Sequence, residues 1–311
     1  MKGSDLKTIL VTGGNGLLGS KLLAEAAGRY RLVSVDLQAG PLFPVSGMEY
    51  AQADITDAES LRAAVIRARP DCVIHAAAYT DVDRCERERE ACRRVNATGT
   101  ENVALVCRSQ GIKLIALSTD YVFDGRRGPY SEEDEPHPVS HYGMTKLEGE
   151  AAVRRLLEDY VIARTTVLYG YFPGIRPNFV TWLVDKLRKR ETVFIVDDQY
   201  GTPTLAEDLA GMLLVLFDKN KRGIYNTVGN ECLSRHEFAV RTAGVFGLDA
   251  SLIQKTTTDS LNQPAARPMR GGLLIQKIIR DTGRSGLSVE EGLNVVRRQM
   301  EADGAFTPQP E

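Results

Sequence analysis

VTGGNGLLGS, residues 11–20, decides how the rest of the chain is read. An apolar run, TILVTG at 8–13, leads into it, and an amphipathic segment, LLGSKLLAEAAGR, leads out. The loop therefore sits at a strand-to-helix junction. Gly13, Gly16 and Gly19 fall in G-x-x-G-x-x-G spacing, with Asn15 inside the loop. Each glycine answers a separate steric demand: a tight turn, a close approach of backbone to phosphate, and close packing of helix on strand. The helix that follows, opening at Leu17 and Leu18, offers unpaired backbone N–H groups to a pyrophosphate. Asp36 ends the next apolar run, YRLVSVD at 30–36, seventeen residues after Gly19. A carboxylate there accepts hydrogen bonds from an adenosine ribose. The same charge repels a 2′-phosphate, and no arginine follows it in DLQAG, so NAD is favoured over NADP.

The runs MEYAQAD (48–54), DCVIHAAA (71–78), KLIALST (113–119) and YVIARTTVLYG (160–170) continue the strand series, with helical patterns between them. Such alternation predicts a doubly wound α/β fold whose parallel sheet is covered on both faces. Asp54 ends the third run beside Ile55, placed to touch adenine. Ala76, Ala77, Ala78 and Tyr79 end the fourth, where small side chains let backbone lie against a dinucleotide. Beyond residue 170 the pattern loosens into helix (NFVTWLVDKLRKR), strand (ETVFIVDD) and helix (LAEDLAGMLLVLFDK). The division expected is a dinucleotide-binding domain at 1–170 and a smaller, interleaved substrate lobe at 171–311, part of which returns to the sheet. The tail after Gly304 reads as disordered. The single tryptophan, Trp182, reads as core of an amphipathic helix.

Composition narrows the function classes. The 311 residues carry a net charge of -2, which leaves no electrostatic footprint for nucleic acid. No apolar run reaches membrane-spanning length. The N-terminus enters a strand-like segment without a signal-peptide layout, and five scattered cysteines form no CxxC pair. Both features suit a cytoplasmic protein with reduced thiols. The four histidines show no metal-ligand spacing, so no metal is expected.

The chemistry is carried by YGMTKLEGE, Tyr142 to Glu150. One helical turn puts Tyr142 and Lys146 on the same face. Leu117, Ser118, Thr119, Asp120 and Tyr121 end the fifth run, at the carboxyl edge where open α/β sheets bind ligands. Thr119, Tyr142 and Lys146 are therefore expected to converge beside a nicotinamide. A general acid works best with a pKa near the operating pH. A lysine about 5 Å from the phenol, at an effective dielectric near 20, supplies roughly 3 kcal/mol toward lowering it. Lys146 is thus read as the group that makes Tyr142 acidic.

Taken together, VTGGNGLLGS, AAAYTDVDRCE, VNATGTENVA, STDYVFDG, YGMTKLEGE and DDQYGTPTLAEDLA resemble the extended short-chain dehydrogenase/reductases, and within them the dTDP-4-dehydrorhamnose reductase family. The resemblance spans nearly the whole chain. It implies a Rossmann core with a smaller substrate lobe, and hydride transfer from NAD(P)H to C4 of a nucleotide-linked 6-deoxy-4-keto sugar. It assigns proton donation to Tyr142, the nicotinamide ribose to Lys146 and the keto oxygen to Thr119. It places Asn96 beneath the site and suggests Asn178, Gln199, Thr202 and Arg267 for the sugar nucleotide, Arg267 being suited to its diphosphate. Members commonly carry a tryptophan where this chain has Val167, so the sugar-pocket wall is smaller here. A homodimer is the prior for oligomeric state. Two other readings keep the fold: a non-catalytic NAD(P)-binding subunit resembling the regulatory subunit of methionine adenosyltransferase, and a sugar-nucleotide epimerase. A dehydratase is disfavoured, because Thr119 is followed by Asp120 and Tyr121 and not by an Asp-Glu pair.

Overall fold

The computed structural model describes residues 6–307. The layout read at residues 1–5 and the tail at 308–311 lie outside these. Seven strands form one parallel sheet: β1 (Thr8–Thr12), β2 (Arg31–Asp36), β3 (Glu49–Gln52), β4 (Cys72–His75), β5 (Lys113–Thr119), β6 (Tyr160–Thr165) and β7 (Gly223–Asn226). Their order is 7-6-5-4-1-2-3. The chain builds outward from β1 to β3, then returns to lay β4 on the other flank of β1. That reversal opens a crevice at the carboxyl ends of β1 and β4, where doubly wound sheets hold ligands.

The continuous apolar runs follow from burial on both faces. In β1, Ile9 and Val11 join Leu22, Leu209 and Leu213 of helices α1 (Leu17–Ala26) and α8 (Ala206–Asp218). Leu10 points the other way, to Leu61, Val65 and Val103 of α2 (Ala58–Ala68) and α5 (Thr100–Gln110). Each such side chain contributes about 1.5–3 kcal/mol on burial. Between β4 and α5 the helical stretch is broken. Short helices α3 (Val82–Arg87) and α4 (Arg89–Arg93) lead into a π-helical turn, Arg94–Gly99.

The sixth strand was expected to run through residue 170 but stops at Thr165. Val167 adopts a φ of 47°. A β-branched residue is strained there, and the kink ends the ladder. Leu168–Tyr169 then pairs with Thr204–Leu205 outside the main sheet. The smaller C-terminal lobe packs helices α7 (Phe179–Arg188), α9 (Arg235–Phe246) and α11 (Val289–Ala302) around Val184, Phe238, Phe246, Leu293 and Val296. Helix α11 was not anticipated. Ser288 and Glu291 form its capping box, and Val289, Leu293, Val296 and Met300 bury one face. Helix α10 (Gln276–Thr282) links it to β7.

Two expectations fail in this lobe. Trp182 is not core; it is 38% exposed, because it lies off the face of α7 that buries Val180, Leu183, Val184 and Leu187. The tail is ordered at its start, since Phe306 is buried edge-on against Phe246 at 5.0 Å. Among the described residues no helix is long and apolar enough to cross a membrane.

Candidate active site

A cleft of about 690 Å³ runs along the carboxyl edge of the sheet, from the glycine loop to the C-terminal lobe. Its first wall is backbone and small side chains. Gly13 sits at φ 74°, and a Cβ there would lie 2.7 Å from the Ala77 nitrogen. A Cβ on Gly19 would lie 2.2 Å from the Gly13 oxygen. The loop therefore exists only with glycine at both places, pressed against β4 and against itself. Gly16, Leu17 and Leu18 line the cleft where α1 begins. Asp36 lines it too, with its carboxylate fixed by the backbone N–H groups of Asn15 at 3.0 Å and Leu37 at 2.8 Å. Asp54, Ile55, Ala76, Ala77 and Ala78 complete this wall. The groove suits a dinucleotide: glycine positions that admit close backbone approach, a helix N-terminus for phosphate, and a pre-set carboxylate for ribose.

Asn15, Tyr79 and Asn96, expected to touch the cofactor, lie off the cleft wall and act on it from behind. The Asn15 amide donates to the Gly40 carbonyl at 3.1 Å and accepts from the Leu42 N–H at 2.8 Å, pinning the loop after β2. Asn96, in the π-helical turn, accepts from the Tyr79 N–H at 2.8 Å and donates to its carbonyl at 3.0 Å. That two-sided grip holds the Ala76–Tyr79 segment in shape. His75 is buried between the hydroxyls of Thr12 at 2.7 Å and Thr100 at 3.1 Å. Burial, helped by the Lys146 charge, pushes its pKa down to about 3.

Leu117, Thr119, Tyr142 and Lys146 meet at the middle of the cleft. Helix α6 (His141–Leu156) carries the last two, and the Ser140 hydroxyl caps it by accepting from the Gly143 N–H at 3.2 Å. A Cβ on Gly143 would lie 2.1 Å from the Tyr121 oxygen, so glycine after the tyrosine lets α6 abut the end of β5. The Lys146 ammonium donates to the Leu117 carbonyl at 2.7 Å. Burial lowers its pKa to about 8, with Glu150 pulling the other way.

The expectation that Lys146 makes Tyr142 acidic does not hold. Burial pushes the phenol well above its ordinary range, and the Thr119 hydroxyl offsets only part of this. The Tyr142 ring is packed edge-on to Tyr121 at 5.5 Å, among Cys85 and Cys92. Desolvation of the phenolate is the largest influence, and the nearby Asp120 charge pushes the same way. Tyr142 is therefore a fully protonated donor across the neutral range.

The second wall differs from the sequence reading. Asp120, Tyr121, Val167 and Asn178 line it. Asp120 also accepts from the Gly272 N–H at 3.4 Å, and burial raises its pKa. Asn178 caps α7 and donates to the Gly170 carbonyl at 2.6 Å. Three expected substrate residues lie off the wall. The Gln199 amide donates to the Thr258 hydroxyl at 2.9 Å, and the Thr202 hydroxyl accepts from the Leu273 N–H at 3.0 Å. Arg267 is spent on Asp83, with bonds of 2.9 and 2.7 Å to its two carboxylate oxygens. In its place Arg176 and Arg235 line the cleft. Neither guanidinium has an ion pair or side-chain hydrogen bond among the described residues; Arg235 lies over the Phe179 ring at 5.7 Å. Nothing in the sequence marks these two, because direction into the cleft is set by the loop before α7 and the start of α9.

A glycine-loop cleft at the switch point, meeting a Tyr-x-x-x-Lys helix, defines an NAD(P)-dependent oxidoreductase of the extended short-chain dehydrogenase type. Residues 7–301 match the family described as RmlD substrate binding domain. The chain is 36% identical over 268 residues to a dTDP-4-dehydrorhamnose reductase of Streptomyces griseus, covering 83% of each. It is 37% identical over 261 residues to a dTDP-4-keto-6-deoxy-D-glucose reductase of Streptomyces niveus, covering 83% of this chain and 85% of that one. The dTDP-4-dehydrorhamnose reductase of Bacillus anthracis, solved in complex with NADP, superposes with a TM-score of 0.86 at 32% identity, over 94% of this chain and 99% of that one. The chain belongs to the dTDP-4-dehydrorhamnose reductase family, and is an oxidoreductase of that kind.

Proposed function

We propose that this protein reduces the C4 ketone of dTDP-4-dehydro-L-rhamnose, giving dTDP-L-rhamnose, with NADH preferred over NADPH. The carrying observation is that Thr119, Tyr142 and Lys146 share one cleft with the glycine loop and Asp36. A reduced nicotinamide bound there supplies the hydride. The Thr119 hydroxyl orients the keto oxygen. As that oxygen gains negative charge, Tyr142 donates its phenolic proton to it. An alkoxide is far more basic than even a destabilised phenolate, so a raised tyrosine pKa does not prevent the transfer. Lys146 has three N–H donors and spends one on Leu117, leaving two for the nicotinamide ribose. Arg176 and Arg235 are the cations available to the substrate diphosphate. Val167 leaves a small wall beside the sugar.

The relatives act on differing 4-keto sugars by name, so the sugar is the part to test. NADH oxidation is followed with dTDP-4-dehydro-L-rhamnose and with dTDP-4-keto-6-deoxy-D-glucose. The reading requires turnover with the first to exceed that with the second. Tyr142→Phe should lower kcat about 10²- to 10⁴-fold while leaving the NADH Kd near the parent value. Turnover that survives loss of the phenol removes Tyr142 as the acid.

A further inference from the structure

One turn beyond Lys146, helix α6 buries a carboxylate that the reaction as described does not use. Glu150 is 4% exposed, and its partner Arg164, from β6, is 1% exposed. Arg164 donates from Nε to Oε1 at 2.9 Å and from Nη2 to Oε2 at 2.6 Å. The Ser118 hydroxyl donates to the same carboxylate at 2.5 Å. Arg164 Nη1 is buried with no hydrogen-bond partner. Buried ion pairs of this kind seldom stabilise a fold more than apolar residues of similar volume would. An incompletely satisfied guanidinium makes this one costlier still. The carboxylate nevertheless ties together the three elements that build the reactive centre: α6 with Tyr142 and Lys146, the end of β5 with Thr119, and β6.

We propose that Glu150, clamped by Arg164, is a positioning residue that keeps the Lys146 ammonium charged and directed at the end of β5. The inference rests on the reductase reading above. Glu150 forms no ion pair with Lys146 within 4 Å; it acts through its field and through Ser118, which sits between Leu117 and Thr119. The charges facing Lys146 come from several elements. His75 on β4 is neutral, Tyr142 on α6 is protonated, and Cys92 on α4 adds a weaker pull in the same direction as Glu150. Arg164 on β6 is a second buried cation. Glu150 is thus the counter-charge for two cations. Without it, Arg164 and Lys146 repel one another across a poorly solvated site, and the lysine is the one that can lose its proton.

The test compares parent, Glu150→Gln, Glu150→Asp and Glu150→Gln/Arg164→Met between pH 6 and 9.5. Two quantities are read: kcat/KM with the keto sugar, and the NADH Kd from cofactor fluorescence without sugar. In the parent both should decline on the alkaline side near pH 8, where Lys146 loses its charge. Glu150→Gln should move that decline down by about one pH unit or more, so that the loss at pH 8 exceeds the loss at pH 6 about fivefold or more. Glu150→Asp, which keeps the charge, should retain the parental position. The double variant, which removes both members of the pair, should move back toward it even if Glu150→Gln folds poorly. A uniform loss at every pH, or a double variant no nearer the parent than the single, overturns the proposal and leaves a purely structural pair. The NADH readout keeps the two readings apart. Failure to turn over any keto sugar refutes the substrate assignment, while the shift in NADH binding still decides the role of Glu150.

Discussion

On the wall formed by β1, β2 and β4 the cleft is lined with backbone and small side chains, whereas the C-terminal lobe presents two long cations. The first wall is finished before any ligand arrives. Asp36 is held by two N–H groups, and Ala76–Tyr79 is gripped by Asn96. The second wall ends in Arg176 and Arg235, with no carboxylate paired to either among the described residues. Affinity on the first side comes from shape already fixed by the fold. On the second, in the reading proposed above, it would come from charge left over by the fold, which a dianionic diphosphate can neutralise.

The sharpest way to break this contrast is to exchange the roles of two arginines. Arg235→Ala should raise the KM for the sugar nucleotide about 10- to 100-fold, the range of one or two charge-assisted hydrogen bonds, with the NADH Kd little changed. Arg267→Ala should instead lower Tm, because it leaves Asp83 without its partner, and should move KM less. A larger KM effect at Arg267 than at Arg235 would reverse the assignment.

A smaller effect probes how pre-set the first wall is. His75 is neutral in the fold, with its pKa down at about 3. The unfolded imidazole titrates near 6.5. Its contribution is therefore fully present above about pH 6.5 and is lost as pH falls from there toward 3. At pH 5 the loss relative to pH 7 should be about 2 kcal/mol. Denaturant unfolding at the two pH values measures it, and His75→Gln should flatten the slope. An unchanged slope would mean that the imidazole is not what makes this wall acid-sensitive.

The smallest effect concerns Asp36. Asp36→Asn should shift the ratio of the NADH and NADPH Kd values toward NADPH by about tenfold, if the proposed preference for NADH holds. The relative from Bacillus anthracis was solved with NADP. Equal affinities in the parent would therefore show that this carboxylate tolerates a 2′-phosphate.

The same contrast explains what could be read from the sequence. All six strands expected in the first 170 residues are present; five of the runs are largely buried, and the third, with Glu49 and Gln52 exposed, forms the sheet edge. The glycine loop was legible because its three glycines and the helix start fall within a dozen residues, although the contact that fixes Gly13, with Ala77, is distant in sequence. Arg267 and Arg235 were not separable, since an arginine's partner is chosen by tertiary contact and Asp83 lies far off in sequence. The π-helical turn at 94–99 leaves no compositional mark. Helix α11 did carry a signal, Ser-Val-Glu-Glu ahead of Leu293 and Val296, which went unread. The acidity of Tyr142 was misjudged because the pull of Lys146 was ranked above the burial of the phenol, and burial is the larger effect.

The seventh strand bears on how the molecule can be cut. Residues 223–226 close the sheet beside β6, and α8 covers Leu22 and Leu23 of α1. A fragment ending near residue 170 would carry the whole glycine loop and the Tyr-Lys helix, yet it would expose a raw strand edge and a stripped helix face. The half of the chain that carries the glycine loop therefore borrows its outer shell from the other half.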